Sequence, residues 1–340
     1  MITDSSAILF RVDGNASIGF GHLMRAIALA EILKEKYSCH FLLRKDSFSA
    51  IVPSYFNYDL IPECNDPKSE INWIRENYTA KKHIIVLDGY DFDEKYQVDL
   101  KNAGYSIVYI DDFASFKQVA DVVINHAIGI DELAYKKREY TKLFLGSKYT
   151  LLRKSFLDAR FIQLPKREEM DTVFVCIGGA DPEDISLKVV QSLLRFENIT
   201  EINLVLGGGY KHEESLLFYE KYTTVKVHRD LNELEMIATM RQCAFAVVPA
   251  STISYELNSI GMPIICGYFV GNQKLIYNGL VNAQLVYGIG NISKLGIDEI
   301  SDFILNFLTK VDYEKFRKNQ LEHFQHPVQD NLLEIIKSIC

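Results

Sequence analysis

The chain has 340 residues, of which 48% are hydrophobic and 24% are charged. That length accommodates two domains with separate cores, and the composition excludes general disorder. The net charge of −8 argues against nucleic acid as the main partner, because polyphosphates bind to basic surfaces. A small ligand that carries phosphate is compatible with this charge, since helix ends and a few cations suffice to hold it.

The six cysteines are scattered without a CxxC pair, so neither a metal site nor a cofactor is predicted. Several lie in apolar runs such as FVCIGG (174–179) and PIICGYF (263–269), where buried thiols in a reducing cytoplasm are expected. The N-terminus lacks a basic region followed by an apolar run, and no apolar run is long enough to span a bilayer. These features predict a cytoplasmic protein without stable membrane insertion.

The first half alternates β-rich runs with amphipathic stretches. AILFRVD (7–13) predicts a strand, and residues 22–36 predict the helix that follows it. Apolar residues recur in this helix with a 3.6-residue period, and His22 and Arg25 stand beside the face that they form. That face consists of Leu23, Ala26, Ile27, Ala30 and Leu33. Further strands are predicted at 39–44, 83–88, 106–112 and 121–125.

The second half repeats this alternation. Residues 171–177 predict a strand, followed by a helix with Asp181 as N-cap and Pro182 at its first position. The alternation continues through EINLVLGGG, TTVKVH, AFAVVPAS and MPIICGYF. The charged stretch LPKREEMD (164–171) is typical of a linker, so we place the domains at 1–164 and 165–340. The last forty residues predict helices, one of which is expected to cross back onto the first domain.

This order of elements predicts an α/β protein with two Rossmann-like parallel-sheet domains. Two such domains are expected to face a cleft that is lined by the carboxyl ends of their strands. A cleft of that kind favours a nucleotide or a nucleotide sugar over a polymer.

The run DGNASIGFGHLMR places glycines and an imidazole between a strand and a helix. Gly19 and Gly21 let the backbone approach a ligand, and the helix N-terminus offers free N–H groups to an anion. His22 is the one histidine of eight at such a junction, where the helix dipole favours the neutral form that a general base requires. The alternatives are a plain turn and a capping or surface histidine.

Other polar residues near predicted strand ends have two interpretations each. Arg25 suits a substrate carboxylate or phosphate, or a salt bridge to a loop acid such as Asp13. Asp88 and Tyr90 suit sugar hydroxyls or amides, whereas a capping role is equally open for Asp93. Asn125 and His126 end a further strand and carry the same ambiguity.

In the second half, Ser251 and Thr252 stand at a predicted helix start, where hydroxyls and free N–H groups suit a diphosphate. Glu256, one turn later, can accept two hydrogen bonds from a ribose diol. A capping box is the alternative, although the Thr-to-Glu spacing is one residue too long for it. The loops GGAD (178–181), GGGY (207–210) and GNQ (271–273) are either backbone-rich binding loops or ordinary turns.

The run FRVDGNASIGFGHLMR (10–25) resembles the signature Arg-x-Asp…Ile-Gly-x-Gly-His-x-x-Arg of the UDP-sugar hydrolases of pseudaminic acid biosynthesis. That family cleaves UDP-2,4-diacetamido-2,4,6-trideoxy-β-L-altropyranose and has the two-domain glycosyltransferase B architecture. VPAST differs from the wider fold, because Pro249 and Ala250 stand where many relatives have glycines. Further matches follow in order: DGYDFDEKY, IDDFA with VVIN, GSKYTLLRKSF, IGGAD, AST…YE and GNQ.

The resemblance implies that water attacks the anomeric carbon and that UDP leaves with C–O cleavage and inversion, without a metal. It implies that His22 is the catalytic base or positions the water. The residues that it implies on the sugar side are Asp13, Arg25, Asp88, Tyr90 and Arg153. Those implied at the diphosphate, ribose or nearby sugar atoms are Gly19, Gly21, Gly178, Gly179, Ser251, Thr252, Glu256, Asn272 and Gln273.

Two other functions stay open. A glycosyltransferase of the same fold would use His22 to deprotonate an acceptor hydroxyl, and would normally have a basic or apolar membrane-facing patch. We expect no stretch that combines clustered lysines with exposed aromatic residues, which weakens this alternative without removing it. A non-catalytic nucleotide-sugar-binding protein would need no base at His22. The expected partner is thus a UDP-linked diacetamido sugar, bound by a monomer or weak oligomer.

Overall fold

The structure, a computed structural model, describes residues 7–15, 18–64, 66–159, 170–229 and 231–339. The chain divides into two compact units, one from Met1–Lys154 and Pro327–Cys340 and the other from Ser155–His326. Each unit contains one parallel sheet, which confirms the predicted pair of Rossmann-like α/β domains. The expected domain boundary at 164/165 and most of the expected linker lie outside the described residues.

The sheet of the first unit has seven parallel strands in the order β3-β2-β1-β4-β5-β6-β7. Its strands are β1 (Ala7–Val12), β2 (Ser38–Arg44), β3 (Asn57–Ile61), β4 (His83–Asp88), β5 (Ser106–Ile110), β6 (Val122–Asn125) and β7 (Lys142–Leu145). The helices that belong to this unit are α1 (Gly21–Leu33), α2 (Pro67–Asn77), α3 (Glu94–Asn102) and α12 (Val328–Lys337), together with short 3-10 turns.

The second sheet has six parallel strands in the order β10-β9-β8-β11-β12-β13. Its strands are β8 (Thr172–Val175), β9 (Glu201–Leu206), β10 (Val225–Arg229), β11 (Phe245–Pro249), β12 (Ile264–Tyr268) and β13 (Tyr287–Asn291). Its helices are α4 (Lys154–Ala159), α5 (Ile185–Leu193), α6 (Glu213–Tyr219), α7 (Glu233–Gln242), α8 (Thr252–Ser259), α9 (Gln273–Asn282), α10 (Ile297–Lys310) and α11 (Tyr313–Phe324).

The register of the first sheet explains which side chains meet at its carboxyl edge. β1 is central and pairs with β2 and β4, so that Val12 stands level with Asp88. Central strands of a parallel sheet are covered on both faces, which accounts for their nearly continuous apolar sequences. The polar residues that end β1, β4, β5 and β6 are therefore brought to one edge of the sheet.

Helix α1 is buried on more sides than its predicted single apolar face implies. It extends over Gly21–Leu33, and both His22 and Arg25 are buried in it. The physical reason is that α1 packs against β1, β2 and β4 of the sheet and also against α12, from the end of the chain. His22 and Arg25 are in addition hydrogen-bonded to Asp88, at the end of β4.

The start of α5 differs from its prediction. The helix begins at Ile185, its N-cap is Asp184 in the left-handed conformation, and Pro182 precedes it in a turn. Asp181 also has a positive φ of 42°, which bends the chain away from a helix that would start at Pro182. Its carboxylate still accepts the N–H groups of Ile185 and Ser186 at 2.9 and 2.8 Å. Asp181 thus caps the first N–H groups of the helix although it precedes the N-cap residue Asp184 in sequence.

Within the described residues, no helix is both long enough and apolar enough to cross a membrane. The predicted burial of the apolar-run cysteines is confirmed, since Cys176 and Cys266 are both buried and unbridged. Cys64 is half-buried and likewise has a free thiol.

Candidate active site

The carboxyl edge of the first sheet gathers a cluster of charged side chains at the start of α1. His22 and Arg25 lie on the first turns of this helix, Asp88 ends β4, and Asp112 follows β5. All of them are largely enclosed: His22 and Arg25 are each 7% exposed and Asp88 is 1% exposed. Ligands of parallel α/β sheets bind at this edge, which makes the cluster the leading candidate for a functional site.

His22 and Asp88 form a short hydrogen bond. The imidazole Nδ1 lies 2.7 Å from Asp88 Oδ1, and Nη2 of Arg25 lies 3.1 Å from the same nitrogen. The two hydrogens of Nη2 are taken by Asp88 Oδ1 at 2.7 Å and by a second carboxylate at 3.1 Å. The proton between His22 and Asp88 therefore belongs to Nδ1, because two facing lone pairs at 2.7 Å would repel. Nε2 is then the basic nitrogen of neutral His22.

Arg25 bridges two buried carboxylates. Its Nε and Nη2 donate to the two oxygens of Asp88, both at 2.7 Å. Its Nη1 and Nη2 donate to the two oxygens of Asp112, at 2.6 and 3.1 Å. The alternative of a salt bridge from Arg25 to an acidic residue is confirmed, but its partners are Asp88 and Asp112. Asp13, named as the example, pairs with Arg11 instead. Burial alone would raise the pKa of Asp112, but the Arg25 cation outweighs burial and lowers it to about 2.

A cavity of about 310 Å³ opens beside His22. We call it the His22 cavity; among its lining residues are His22, Asp88, Tyr90, Asp13 and Asp46. Tyr90 is 49% exposed, and its ring meets the imidazole edge-to-face with 4.5 Å between the ring centroids. Protein thus covers the side of the imidazole that faces Asp88, and another side of the ring lines the His22 cavity.

The glycines of the first loop have different structural requirements. Gly19 has a φ of +81°, a conformation that favours glycine. Gly21 has no such requirement, and a Cβ built on it would meet no described atom within 4 Å. The missing side chain at Gly21 therefore leaves open space at the N-terminus of α1.

Asp13 also lines the His22 cavity, although its oxygens have several partners in the protein. Oδ2 accepts Nη1 of Arg11 at 2.7 Å, and Oδ1 accepts the Arg44 N–H and the Ser47 hydroxyl, both at 2.7 Å. These bonds fix the loop after β2 against the end of β1. Arg11 in turn donates to Glu70 at 2.7 Å.

A second cavity of about 660 Å³ adjoins the first, and we call it the Glu70 cavity. The two share lining residues, among them Arg44, Asp46, Tyr90 and Asp91. Its other walls come from the starts of α2 and α3, where Asp66 and Asp93 are the N-caps. The capping alternative for Asp93 is thereby confirmed.

Asn125 and His126 have partners inside the fold. The Asn125 amide donates to the Tyr135 hydroxyl at 2.9 Å and accepts the Ala127 N–H at 2.9 Å. His126 Nδ1 accepts the Leu151 N–H at 3.2 Å. Burial, and then the nearby Arg25 cation, lower the pKa of His126 to about 4. The Asn125 contacts are structural, and His126 is neutral at ordinary pH.

The second unit places several predicted residues in loops at the carboxyl ends of β8, β11 and β12, which are neighbours in its sheet. Ser251 is the N-cap of α8 without a side-chain capping bond, so the capping-box alternative is wrong. Thr252 is the first residue of this helix, and Glu256 is 3% exposed within it. The first turn of α8 thus keeps N–H groups that its N-cap side chain does not satisfy.

The remaining predicted residues lie near their expected elements. Gly178 has a φ of +112°, and the Gly179 carbonyl accepts the Gly209 N–H at 2.9 Å, which joins two of the glycine loops. Asn272 is the N-cap of α9, and the first residue of that helix, Gln273, accepts the Phe269 N–H at 3.0 Å. Arg153 is half-buried, at the end of the chain segment that forms the first unit.

Sequence reasoning did not single out Arg11, Glu70 or Asp112. Arg11 is a charge inside an otherwise apolar strand, a pattern that requires a buried partner and could have indicated the pair with Glu70. Asp112 ends a predicted strand just as Asp88 does. Its involvement depends on β4 and β5 being neighbours, which the pairing of Asp88 with Ile110 shows.

No protein-family model matches the chain. The chain is 28% identical over 250 residues to the UDP-2,4-diacetamido-2,4,6-trideoxy-β-L-altropyranose hydrolase of Campylobacter jejuni, covering 68% of this chain and 85% of that protein. It is 24% identical over 287 residues to the spore coat polysaccharide biosynthesis protein SpsG of Bacillus subtilis, covering 82% and 83%. An uncharacterized protein of Methanocaldococcus jannaschii is 23% identical over 281 residues, and the match spans 78% of this chain but only 56% of that relative.

Solved glycosyltransferases have the same fold. The structure of Acinetobacter baumannii MurG superposes with a TM-score of 0.66 at 10% identity, covering 98% of this chain and 99% of that one. The calicheamicin glycosyltransferase CalG4 superposes with a TM-score of 0.67 at 10% identity, covering 99% and 98%. The chain therefore has a glycosyltransferase B-like fold and is distantly similar in sequence to a UDP-sugar hydrolase and to SpsG.

Proposed function

We propose that this protein hydrolyses a UDP-linked 2,4-diacetamido-2,4,6-trideoxy sugar, releasing UDP and the free sugar for nonulosonic acid biosynthesis. The observation that carries the proposal is the His22–Asp88 pair at the edge of the His22 cavity, 2.7 Å apart. The distant similarity to the Campylobacter hydrolase supports this choice of reaction and sugar.

In this reaction Nε2 of His22 accepts a proton from water as the water oxygen bonds to the anomeric carbon. The bond from that carbon to the UDP oxygen breaks, and its electron pair leaves with UDP, so the anomeric configuration inverts. Asp88 holds the imidazole in the required tautomer and stabilises the imidazolium that forms. Neither a covalent intermediate nor a metal is required by this sequence of steps.

The leaving group needs stabilisation of its developing charge. We assign this to the second unit, where Ser251 and Thr252 begin α8 and Gly178 and Gly179 form a backbone-rich loop. Glu256 is assigned to the ribose, and Asn272 and Gln273 to the phosphate or sugar. In the first unit, Gly19 and the open space at Gly21 are assigned to the diphosphate side.

The sugar itself is assigned to residues of the first unit. Tyr90 and Arg153 are proposed to contact it directly, and Asp13 lines the His22 cavity through a carboxylate that also orders the loop after β2. Arg25 and Asp88 act on His22 in this proposal. The two side chains are hydrogen-bonded to each other, and each has a polar atom within hydrogen-bond distance of Nδ1 of the imidazole.

A glycosyltransferase of the same fold is the second candidate. The observation in its favour is the Glu70 cavity, which shares lining residues with the His22 cavity and has about twice its volume. An acceptor hydroxyl there would take the place of water, and His22 would remove its proton in the same way.

The deciding experiment incubates the purified full-length chain with the UDP-linked diacetamido sugar in ¹⁸O-water and follows UDP by ³¹P NMR. Hydrolysis predicts UDP release without any acceptor, with the label on the sugar C1 oxygen and inverted configuration in the first product. Label in UDP would contradict the C–O cleavage. Release only after an acceptor is added would identify a transferase, and binding without release would identify a binding protein.

His22→Asn tests the base, and His40→Gln is the matched control. His40 lies in the same unit, where its imidazole contacts Asp59 at 3.0 Å, and it lines neither cavity. Loss of the base is expected to lower kcat by about 10²–10⁴-fold. A His22→Asn protein with the kcat of the control would overturn the proposed mechanism.

A further inference from the structure

We infer that Asp112 is a positioning residue for the imidazole of His22, acting through Arg25 to keep the proton on Nδ1 and Nε2 basic. The kinetic part of this inference rests on the proposed function, whereas the part that concerns the tautomer rests on geometry alone. Asp112 does not line the His22 cavity. It therefore acts on the imidazole through Arg25 and not through a ligand in that cavity.

The geometry of Arg25 is the first step. The guanidinium makes two forked pairs, one from its Nε–Nη2 edge to Asp88 and one from its Nη1–Nη2 edge to Asp112. Forked pairs fix the plane of a guanidinium as well as its position. The side chains of Arg25 and Asp112 are 9% and 14% exposed, so water competes little for these bonds.

The position of Nη2 is the second step. This nitrogen has two hydrogens and three polar atoms nearby: Asp88 Oδ1 at 2.7 Å, Asp112 Oδ2 at 3.1 Å and His22 Nδ1 at 3.1 Å. As long as Asp112 accepts one hydrogen, none is left for His22, and the imidazole donates its own Nδ1 proton to Asp88.

The consequence of losing Asp112 is the third step. A hydrogen of Nη2 would then be released toward His22 Nδ1, where it would compete with the proton that Nδ1 donates to Asp88. In the fraction of molecules in which Nδ1 accepts this hydrogen, the imidazole proton is on Nε2, the nitrogen that the proposed reaction needs unprotonated. Asp112 therefore favours the productive tautomer, because it accepts the Arg25 hydrogen that would otherwise compete for Nδ1.

The Tyr90 hydroxyl adds to this network, since it lies 3.3 Å from Asp112 Oδ2. Its ring packs edge-to-face on the imidazole. Asp112 is thereby connected to His22 by two routes, through the guanidinium on one side and through the half-exposed tyrosine on the other.

The test compares Asp112→Asn with Asp112→Glu and with Asp121→Asn as the matched control. The asparagine amide turns a donor toward Arg25 in place of one carboxylate oxygen, while the glutamate restores an acceptor pair. Asp121 also forms an ion pair in the first unit, with Lys101 at 2.7 Å, but it precedes β6 at the opposite edge of the sheet. Folding of each variant is checked by fluorescence of Trp73, the only tryptophan of the chain.

The primary readout is the tautomer of His22, measured by ¹H–¹⁵N NMR of histidine-labelled protein at a pH well above the ordinary imidazole pKa of about 6.5. The His22 signals are assigned by their absence from His22→Asn. Wild type, Asp121→Asn and Asp112→Glu are expected to carry the proton on Nδ1, and Asp112→Asn is expected to show a substantial Nε2–H population. An unchanged tautomer in folded Asp112→Asn would overturn the inference.

The second readout is kinetic. In Asp112→Asn, kcat for UDP release is expected to fall about 10–100-fold, the range known for the hydrogen-bond partners that orient metal-bound histidines, with KM changed less than about threefold. A rise in KM with unchanged kcat would contradict positioning. If no variant, including wild type, releases UDP, the proposed function fails, whereas the NMR result still decides the role of Asp112.

Discussion

At the scale of single residues, two buried arginines determine the shape of the site. Arg11 bridges Asp13 and Glu70, and Arg25 bridges Asp88 and Asp112. Each cation offsets carboxylates that would otherwise be too costly to bury, and each carboxylate in turn holds a loop or an imidazole in place. The reactive geometry therefore depends on charges that a ligand does not need to touch.

Asp88→Asn is expected to lower kcat for UDP release by about 10²–10⁴-fold with little change in KM. The reason is that an amide can donate to Nδ1, which would place the proton on Nε2 and leave the imidazole unable to accept one. Steady-state UDP release measures the effect, with Asp121→Asn as the control for a lost ion pair. Equal kcat values in the two variants would mean that Asp88 does not orient His22.

His126 is expected to make stability fall as the pH falls. Its pKa is about 4 in the fold against the ordinary value of 6.5, so between these values the unfolded chain binds a proton that the native chain does not. The free energy of unfolding should therefore decrease from pH 6.5 toward pH 4, by about 2 kcal/mol at pH 5 from this residue.

Urea unfolding at pH 7 and pH 5, followed by Trp73 fluorescence, measures this dependence. His126→Asn keeps an acceptor for the Leu151 N–H and removes the titratable imidazole. The loss of unfolding free energy between pH 7 and pH 5 should therefore be about 2 kcal/mol smaller in this variant than in wild type. His40→Gln is the control. The same pH dependence in wild type and His126→Asn would show that His126 is not the source.

At the scale of elements, the loops after the strands decide where backbone groups are available. The loop after β9 packs on the loop after β8, and a Cβ on Gly207 would lie 2.4 Å from the Gly179 carbonyl oxygen. Because the obstacle is backbone, no side-chain rotation can relieve it. The glycine at 207 thus maintains the conformation of the 178–181 loop.

Gly207→Ala is expected to destabilise the second unit by about 1–3 kcal/mol, since one of the two loops must move to accommodate the methyl group. If UDP binds as proposed, its Kd should rise together with this change. Circular dichroism during urea unfolding measures the stability, and Gly271→Ala is the control, because a Cβ there meets nothing within 4 Å. Equal stability of the two variants would contradict the close contact.

At the scale of the whole molecule, the chain returns to its first unit at the end. Helix α12 belongs to that unit and buries Val328, Leu332, Ile335 and Ile336. Its Asn331 side chain donates to the Lys148 carbonyl at 2.9 Å, which ties the helix to the segment before the second unit. The first unit is therefore completed by residues that the whole of Ser155–His326 separates from its other elements in sequence.

Leu332→Ala is expected to destabilise the first unit by about 2–5 kcal/mol, because Leu332 is fully buried and its loss leaves a cavity. The urea midpoint seen by Trp73 fluorescence, which reports on the first unit, should fall accordingly. Leu305→Ala, on the exposed face of α10 in the second unit, should leave that midpoint unchanged. A Leu332→Ala midpoint equal to that of the control would contradict this packing of α12.

Local sequence patterns are enough to predict the repeated alternation of strands and helices, because hydrophobic periodicity and turn residues are local properties of the chain. They also place His22 at the start of a helix, since the glycine loop and the apolar repeat adjoin it directly. The edge strands β3 and β7 were not predicted. β3 mixes polar with apolar residues, and β7 is apolar but only four residues long, so neither has a clear strand pattern.

The tertiary structure alone decided the partners of the charged residues. Asp88, Asp112 and Arg25 are far apart in sequence, and only the strand order of the first sheet puts them within hydrogen-bond distance. The contact between α1 and α12 is likewise a property of packing between distant segments. Local patterns specify which elements form, whereas the pairing of buried charges depends on which elements become neighbours.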